Sequence, residues 1–259
     1  MTSFLCKTCG TQYPPADEPP AECAICCDER QYVPVEGQEW VTYQEVCDTH
    51  HAEIREEHGV VGIGIEPGFA IGQRALLAES PSGNVLWDCV PLLDEMAAFV
   101  ESRGGLKAVA ISHPHFYSTM VEWAHRFDCP ILLHEAEREF VMRPDDAIDF
   151  WSGDVHELWD DLRLLRLGGH FDGAQVLHRP GAIFTGDVVA VRPGWRWVSF
   201  MRSYPMLIPL PVHEVERIAA ALEPWDFQRI YGGWWDDVVR EDAEEIVRRS
   251  AERYVRALA

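Results

Sequence analysis

The stretch Ile111-Ser-His-Pro-His-Phe-Tyr-Ser118 ends an apolar run and carries two histidines two residues apart. If the run is a β-strand, both histidines point the same way, because side chains alternate along a strand. Gly168-Gly-His170 and Thr185-Gly-Asp187 follow two further strand-like runs, at 162–167 and 182–184. A single edge of a sheet could bring these strand ends, and the four possible ligands that they carry, close together. The pattern predicts a site in which three histidines, with or without the carboxylate, hold a metal ion that polarises a substrate and a water.

This order and spacing resemble the metallo-beta-lactamase fold superfamily, whose pattern is HxHxDH, then a distant Gly-His, a Gly-Asp and a last histidine after a late strand. The resemblance covers about residues 59 to 235 and implies an α/β fold, the four-layer αββα sandwich, with metal-dependent hydrolase activity. It also implies that His113, His115 and His170 are ligands of a first metal and that Asp187 is a bridging ligand.

The chain departs from that pattern at the second metal's ligands. Tyr117 and Ser118 stand where the family has Asp and His, and no histidine follows His213. The late strand at 227–231 runs instead into Gly232-Gly-Trp-Trp235. Because these losses remove one metal's ligands as a set, the sequence predicts a mononuclear site with one Zn²⁺ or iron ion.

Three side chains are candidates for catalysis. Asp187 either completes the metal's ligand shell or orients the bound water. Tyr117 could donate a hydrogen bond to an oxyanion in the transition state. Asp172, two residues after His170, is a candidate general base.

A second metal site is indicated near the other end of the chain. Cys6-Lys-Thr-Cys9 and Cys23-Ala-Ile-Cys26 form two C-x2-C pairs separated by thirteen residues, the spacing of a tetrathiolate zinc site. The segment resembles a rubredoxin-like zinc ribbon. Cys27 is a rival for Cys26 as the fourth ligand, and iron is an alternative metal. We expect this ribbon to be structural and remote from the chemistry.

Composition favours a cytoplasmic enzyme that acts on a small molecule. The 259 residues contain neither an apolar run of about 18 residues nor a charged-then-apolar leader, so we expect no membrane span and no export. The net charge is −21, and the first thirty residues carry only Lys7 and Arg30 as cations. So acidic a surface repels phosphate backbones, and we expect no nucleic-acid partner.

We predict three segments: the ribbon at 1–35, a helical connector at 36–58 and a metallo-beta-lactamase-like domain at 59–259. In the connector, Thr42 and Glu45 form a capping-box pattern. Periodicity and turn residues predict the main elements of the domain. The strands are at 59–65, 74–78, 85–89, 107–112, 131–134 and 227–231, and the helices at 91–102, 118–127, 135–142, 212–222 and 236–258.

Two other classes of function stay open. A mononuclear site rich in histidine fits an iron enzyme of oxygen or sulfur chemistry nearly as well as a zinc hydrolase. A non-catalytic protein could instead hold a small ligand in an aromatic cleft. The candidates for that cleft are four tryptophans on late loops, Trp195, Trp197, Trp234 and Trp235.

Overall fold

The structure is a computed structural model that describes residues 2–258. The ribbon begins with strand β1 (Phe4–Cys6) and continues through the short helix α1 (Ala24–Cys27). β1 pairs in antiparallel fashion with β2 (Trp40–Thr42), which leads directly into helix α2 (Tyr43–Thr49). The predicted capping box is present, because the Thr42 side chain accepts from the Glu45 amide and the Glu45 carboxylate accepts from the Thr42 amide. The pairing of β1 with β2 therefore joins the ribbon to the start of the connector.

The connector is not helical throughout. After α2 the chain forms strand β3 (His51–Glu57), which pairs over its whole length with β4 (Val60–Glu66). Its Ala52 and Ile54 pack on the core and alternate with polar residues, a period that suits a strand. The boundary predicted at residue 59 falls in the turn of this hairpin.

The first half of the main body is a seven-stranded sheet in the order β3-β4-β5-β6-β7-β8-β9. Its strands are antiparallel from β3 to β6 and parallel from β6 to β9. The remaining elements of this half are β5 (Ala75–Ala78), β6 (Val85–Trp87), α3 (Asp94–Ser102), β7 (Ala108–Ala110), α4 (Met120–Phe127), β8 (Ile131–His134) and β9 (Ile148–Trp151).

The second half is a six-stranded sheet in the order β10-β11-β12-β13-β18-β19. Its strands are β10 (Val155–Glu157), β11 (Arg163–Arg166), β12 (Gln175–Arg179), β13 (Gly181–Phe184), β18 (Phe227–Tyr231) and β19 (Val238–Val239). Two small hairpins and two helices complete it: β14 (Ala190–Val191) with β15 (Val198–Ser199), β16 (Met201–Ser203) with β17 (Ile208–Pro209), α5 (Val212–Leu222) and α6 (Ala243–Leu258).

Three layers of buried apolar side chains hold the two sheets and the helices together. Because side chains alternate along a strand, successive residues of one strand belong to different layers. In β6, Val85 and Trp87 face the second sheet, whereas Leu86 faces α3 and α4. In β13, Phe184 faces the first sheet and Ile183 faces α5 and α6. Both sheets are therefore buried on both faces, and the predicted αββα sandwich is confirmed.

Two predicted helices differ in the structure. Residues 236–258 are helical only from Ala243, because Val238 and Val239 pair with β18 as an edge strand. Residues 135–142 form a 3₁₀ helix at Glu135–Phe140. Between residues 2 and 258, no helix combines the length and the apolar character that crossing a membrane requires.

Candidate metal centre

His113 and His115 converge through a tight turn. β7 ends at Ala110, and His113 is extended immediately before the 3₁₀ turn Pro114–Phe116, which contains His115. The predicted pair is present, but the turn sets the direction of the second ring and strand alternation does not. Both rings are buried, at 1% and 2% exposure.

His170 and Asp187 reach the same point from the second sheet. His170 lies in the loop between β11 and β12, and Asp187 follows β13 in the 3₁₀ turn Asp187–Val189. Gly186 permits this approach, because a Cβ there would collide with the Ser112 side chain and lie 3.0 Å from His113 Nδ1. The close contact of the two sheets' ends thus requires glycine at this position.

Four donor atoms surround one point. Asp187 Oδ2 lies 3.4 Å from His113 Nε2, 3.9 Å from His115 Nδ1 and 3.6 Å from His170 Nε2. His170 Nε2 and His115 Nδ1 are 3.4 Å apart. Zinc binds nitrogen and carboxylate oxygen at about 2.0–2.2 Å, which in a tetrahedron separates the ligands by roughly 3.3–3.6 Å. The spacing of the cluster fits one such ion.

The remaining hydrogen bonds leave nitrogen lone pairs for an ion. His170 Nδ1 lies 3.0 Å from the Met201 carbonyl and so donates to it, which leaves Nε2 as the acceptor. His113 Nδ1 lies 2.9 Å from Ser112 Oγ, and its buried Nε2 has no hydrogen-bond partner. A cation bound between this ring nitrogen and the carboxylate that it faces would satisfy both groups.

The protonation states also suit a cation. Burial lowers the pKa of His113 to about 4 and that of His170 well below its usual range, so both rings are neutral at pH 7. Burial alone would raise the pKa of Asp187, but its contacts with the His113 and His115 rings hold it well below its ordinary value. Three imidazole rings and one carboxylate form a donor set that favours a divalent ion.

Asp88 supports the first histidine, and the sequence did not single it out. It follows β6 with a positive φ of 62° and is fully buried. Its Oδ1 accepts from the Ser112 amide at 2.7 Å, so it fixes the residue that contacts His113. A lone aspartate after a short apolar run carried no local pattern that could identify this role.

A pocket of about 610 Å³ opens beside the cluster. Three of its polar side chains were not predicted: Gln31, Arg192 and Asp237. Burial raises the pKa of Asp237 to about 6, against the opposing effect of Arg192 and Arg74. The other lining residues are Tyr32, Ile71, His115, Gly186, Asp187, Ala190, Val191, Tyr204, Pro205, Gly232, Gly233 and Trp234.

The structure separates two predicted catalytic residues from this pocket. Tyr117 is buried among apolar side chains of the first half, and its hydroxyl has no partner. Asp172 is exposed and lines a different groove, with Arg166 and Arg217. Neither residue is among those that line the pocket. The proximity of Asp172 to His170 in sequence is lost because the loop turns its side chain outward.

The four tryptophans that were candidates for an aromatic cleft do not lie together. Trp234 lines the pocket and donates to the Ile71 carbonyl. Trp195 is 40% exposed elsewhere, and Trp197 packs under Arg249 and Arg253. Trp235 lies flat on β4, where a Cβ at residue 62 or 64 would collide with its ring.

The cysteines form a second cluster. Sγ atoms of Cys6 and Cys26 are 3.5 Å apart, and those of Cys9 and Cys23 are 3.6 Å apart. Zinc–sulfur bonds of about 2.3 Å in a tetrahedron place sulfurs roughly 3.8 Å apart, so the cluster fits one ion. Cys27 is exposed and lies outside the cluster, which favours Cys26 as the fourth ligand. The cysteines of the described residues are free thiols, without a disulfide.

Comparisons with known proteins agree with this geometry. No model of a protein family matches the sequence. The chain is 45% identical over 268 residues to the uncharacterized protein YmaE of Bacillus subtilis (strain 168), with 100% of this chain and 97% of that protein covered.

Solved structures share the fold, and three of them illustrate the similarity to this chain. The crystal structure of VMB-1 at pH 5.5 gives a TM-score of 0.61 at 14% identity, covering 81% of this chain and 99% of that one. The metallo-beta-lactamase FIM-1 from Pseudomonas aeruginosa, in its mono-zinc form, gives 0.58 at 15% identity, covering 79% and 96%. TTHA1623 in a di-iron-bound form gives 0.50 at 19% identity, covering 66% and 90%. With the αββα sandwich, the His113, His115, His170 and Asp187 cluster and the cysteine cluster in place, the chain has the metallo-beta-lactamase fold and belongs to the family of YmaE.

Proposed function

We propose that this protein is a metal-dependent hydrolase with one metal ion in its histidine cluster and a structural zinc ion in its ribbon. The observation that carries the proposal is the convergence of three imidazoles and one carboxylate at the wall of a pocket large enough for a small molecule. His113, His115, His170 and Asp187 would hold the ion. A bound divalent ion supplies Lewis-acid polarisation of the scissile group and lowers the pKa of a coordinated water.

The chain's own residues supply the remaining chemistry. Asp187 is held ionised, and the Tyr204 hydroxyl fixes its turn by donating to the Asp187 carbonyl at 3.1 Å. Asp237 takes the place of Asp172 as the proposed general base. It lines the pocket, and burial raises its pKa to about 6, so it can take a proton from the attacking water and return it to the leaving group.

The pocket also constrains the substrate. Ile71, Val191 and Trp234 give it an apolar side, and Arg192 contributes a cation. This lining favours a small organic ester, lactone or thioester whose product carries a negative charge. We propose neither a nucleic acid nor a membrane as partner, and the cytoplasmic location stays a prediction.

The number of ions is part of the proposal. Tyr117 and Ser118 occupy the positions of second-metal ligands. Both are buried, and neither has the carboxylate or imidazole that would bind a second ion. FIM-1 shares the fold in a mono-zinc form, which supports a one-metal state. TTHA1623 shares it in a di-iron form, so iron with oxygen or sulfur chemistry is the second candidate function.

A substrate panel with defined metal content tests the proposal. Protein purified without oxygen would be analysed for zinc and iron, then assayed against esters, lactones, thioesters and phosphodiesters. We expect hydrolysis that is lost in His115→Ala and retained in the exposed control His213→Ala. Turnover that requires iron and oxygen or a thiol would support the second candidate, and binding without turnover would indicate a non-catalytic protein.

A further inference from the structure

The segment of the ribbon that follows the cysteine cluster, Asp28 to Tyr32, reaches the metal pocket. Gln31 and Tyr32 line that pocket together with His115 and Asp187. The expectation that the ribbon is remote from the chemistry is therefore wrong.

Arg30 joins the ribbon to the loop that carries His170. It is a charged residue of a loop, yet it is only 8% exposed. Its guanidinium forms two hydrogen bonds, of 2.6 and 2.8 Å, with the Asp28 carboxylate. It also donates to the His170 carbonyl at 3.4 Å. One buried cation of the ribbon therefore holds the backbone of a candidate metal ligand.

Arg30 also supports a second candidate ligand, through Phe171. The guanidinium lies 3.8 Å from the centre of the Phe171 ring, a distance at which a cation and an aromatic face attract each other. The Phe171 ring in turn packs against the His115 ring, with the ring centres 5.0 Å apart and the planes nearly perpendicular. Because Phe171 is fully buried, the guanidinium limits the space in which both rings can move.

Strand β16 closes a ring of contacts around His170. Ser203 Oγ donates to the Arg30 carbonyl at 3.0 Å. On the same strand, the Met201 carbonyl accepts from His170 Nδ1 at 3.0 Å. The ribbon segment therefore contacts both elements that fix His170: the loop that carries its backbone and the strand that holds its ring. Loss of such supporting contacts of a ligating histidine weakens metal binding by roughly 10- to 100-fold.

The cysteine cluster anchors the start of this segment. Cys23 caps α1 at its beginning, Cys26 lies within the helix, and Asp28 follows its last residue. An ion held by the cysteine sulfurs would fix α1 and, with it, the carboxylate that orients Arg30. Because so small a unit folds around its ion, loss of the ion should release the Arg30 contacts.

We propose that the ribbon positions the histidine cluster: Arg30 holds the His170 loop and supports His115 through Phe171, so an ion in the cysteine cluster strengthens metal binding by the histidines. The proposal rests on the histidine-cluster ion of the proposed function and adds a coupling between the two metal sites. Arg30 is not among the residues that line the pocket, so it acts through its neighbours as a positioning residue. Coupling between two binding sites is reciprocal, so the histidine-cluster ion also stabilises the ribbon.

The positioning role is tested by metal release, which needs no substrate. Zinc-loaded full-length protein is mixed with the chelator 4-(2-pyridylazo)resorcinol, and the phase from the histidine cluster is the one that is absent in His113→Ala. Arg30→Leu should speed that phase about tenfold. Arg30→Lys, which keeps a cation over Phe171 and a donor for the His170 carbonyl, should restore part of the difference.

Two control variants separate positioning from other effects, and both should leave the phase unchanged. Arg202→Leu breaks the solvent-accessible Arg202–Glu29 ion pair between the same segment and β16. Val247→Ala truncates a buried side chain of α6 and lowers stability without removing the Arg30 contacts. Acceleration by either control equal to that of Arg30→Leu would contradict the role of Arg30. So would an unchanged rate in Arg30→Leu, or the absence of any rescue by Arg30→Lys.

The coupling is tested by removing the ion of the ribbon. The double change Cys6→Ser with Cys9→Ser should speed release from the histidine cluster about as much as Arg30→Leu does. Adding Arg30→Leu should speed it no further, because both changes remove the same contacts. Cys27→Ser, whose thiol is exposed outside the cysteine cluster, should leave the rate unchanged. An unchanged rate in the double variant, or independent effects that multiply, would overturn the coupling.

These outcomes are distinct from those of the proposed function. Arg30→Leu keeps all four cysteines, so its release rate decides the positioning role even where the double variant does not fold. If the release rates behave as expected but no substrate of the panel is hydrolysed, the hydrolase function fails and the positioning role stands. If hydrolysis is found and Arg30→Leu releases zinc at the wild-type rate, the positioning role fails alone. A wild-type protein without a histidine-cluster phase would overturn both.

Discussion

His113 Nε2 is buried without a hydrogen-bond partner and faces the Asp187 carboxylate at 3.4 Å. Removing a ligand from a four-donor site should release the ion, because no other described donor lies within the cluster. Full-length protein should therefore contain about two metal equivalents, one for each cluster, and His113→Ala or His170→Ala about one.

Elemental analysis of the purified variants measures this, with the exposed His213→Ala as the control that keeps two. Three tightly held equivalents in the wild type would contradict a mononuclear histidine cluster. The full chain is required, because truncation before residue 36 would also remove Arg30 and Gln31.

Glu137 is a buried carboxyl whose titration should be visible in stability. Burial raises its pKa to about 7, although a hydrogen bond from the Gly173 amide and the charge of Arg30 oppose the shift. The charges of Asp172 and Glu139 add to the shift, and the buried Tyr117 hydroxyl lies close enough to be affected by the carboxyl. An unfolded glutamate titrates near pH 4.3, so the folded state binds the proton more tightly.

The stability contributed by this proton is complete below about pH 4 and is lost as the pH rises through about 7. Glu137→Gln keeps the acceptor for Gly173 and cannot ionise. Its free energy of unfolding should exceed that of the wild type by about 3 kcal/mol at pH 7.5 and by only about 0.5 kcal/mol near pH 4.5. Urea denaturation at both values measures the difference, and the exposed Glu139→Gln should show none. Equal pH profiles of wild type and Glu137→Gln would show that Glu137 is ionised without cost.

At the scale of elements, the ribbon depends on its metal, because so short a segment has little apolar core of its own. The double change Cys6→Ser with Cys9→Ser should release one metal equivalent and expose residues 2–35 to proteolysis. Since the Asp28 to Tyr32 segment then loses its anchor, hydrolysis should fall even where the histidine cluster keeps its ion.

Metal analysis and limited proteolysis of the same preparations check this expectation. Cys27→Ser is the matched control, because Cys27 is exposed and lies outside the cluster. Loss of metal in Cys27→Ser, or full activity in the double variant after release of the ribbon metal, would contradict it.

At the scale of the whole molecule, Arg74 joins the two sheets. It is fully buried, pairs with Glu57 at the end of β3 and donates to the Gly232 carbonyl beyond β18. Its own amide donates to the Gly233 carbonyl at 2.8 Å. Gly232 and Gly233 line the pocket, so the arginine holds part of the pocket wall in place.

Arg74→Met should lower the free energy of unfolding by about 3 to 5 kcal/mol, because the Glu57 carboxylate is left without its partner. Arg55→Met is the control, since Arg55 is exposed and lies over the Trp235 ring that Arg74 also contacts. This change should cost less than about 1 kcal/mol. Adding Glu57→Gln to Arg74→Met should recover part of the loss, and chemical denaturation measures all three variants. A loss for Arg74→Met no larger than that for Arg55→Met would contradict the bridging role.

The sequence by itself determined the donor atoms and the fold. His113, His115, His170, Asp187 and the paired cysteines stand at strand ends or within tight turns, where local spacing limits how the side chains can point. Strands and helices with strong periodicity also formed where the pattern predicted them, as at Val212–Leu222 and Phe227–Tyr231.

Tertiary structure alone decided which of these parts meet. Val238 and Val239 follow an amphipathic pattern that is compatible with a helix, and only pairing with β18 made them a strand. Arg30 and His170 lie 140 residues apart, and Gln31 and Asp237 reach the pocket from opposite ends of the chain. Contacts between residues so far apart in the chain produce no periodicity or spacing in the sequence, because they depend on how the ribbon and the two sheets pack.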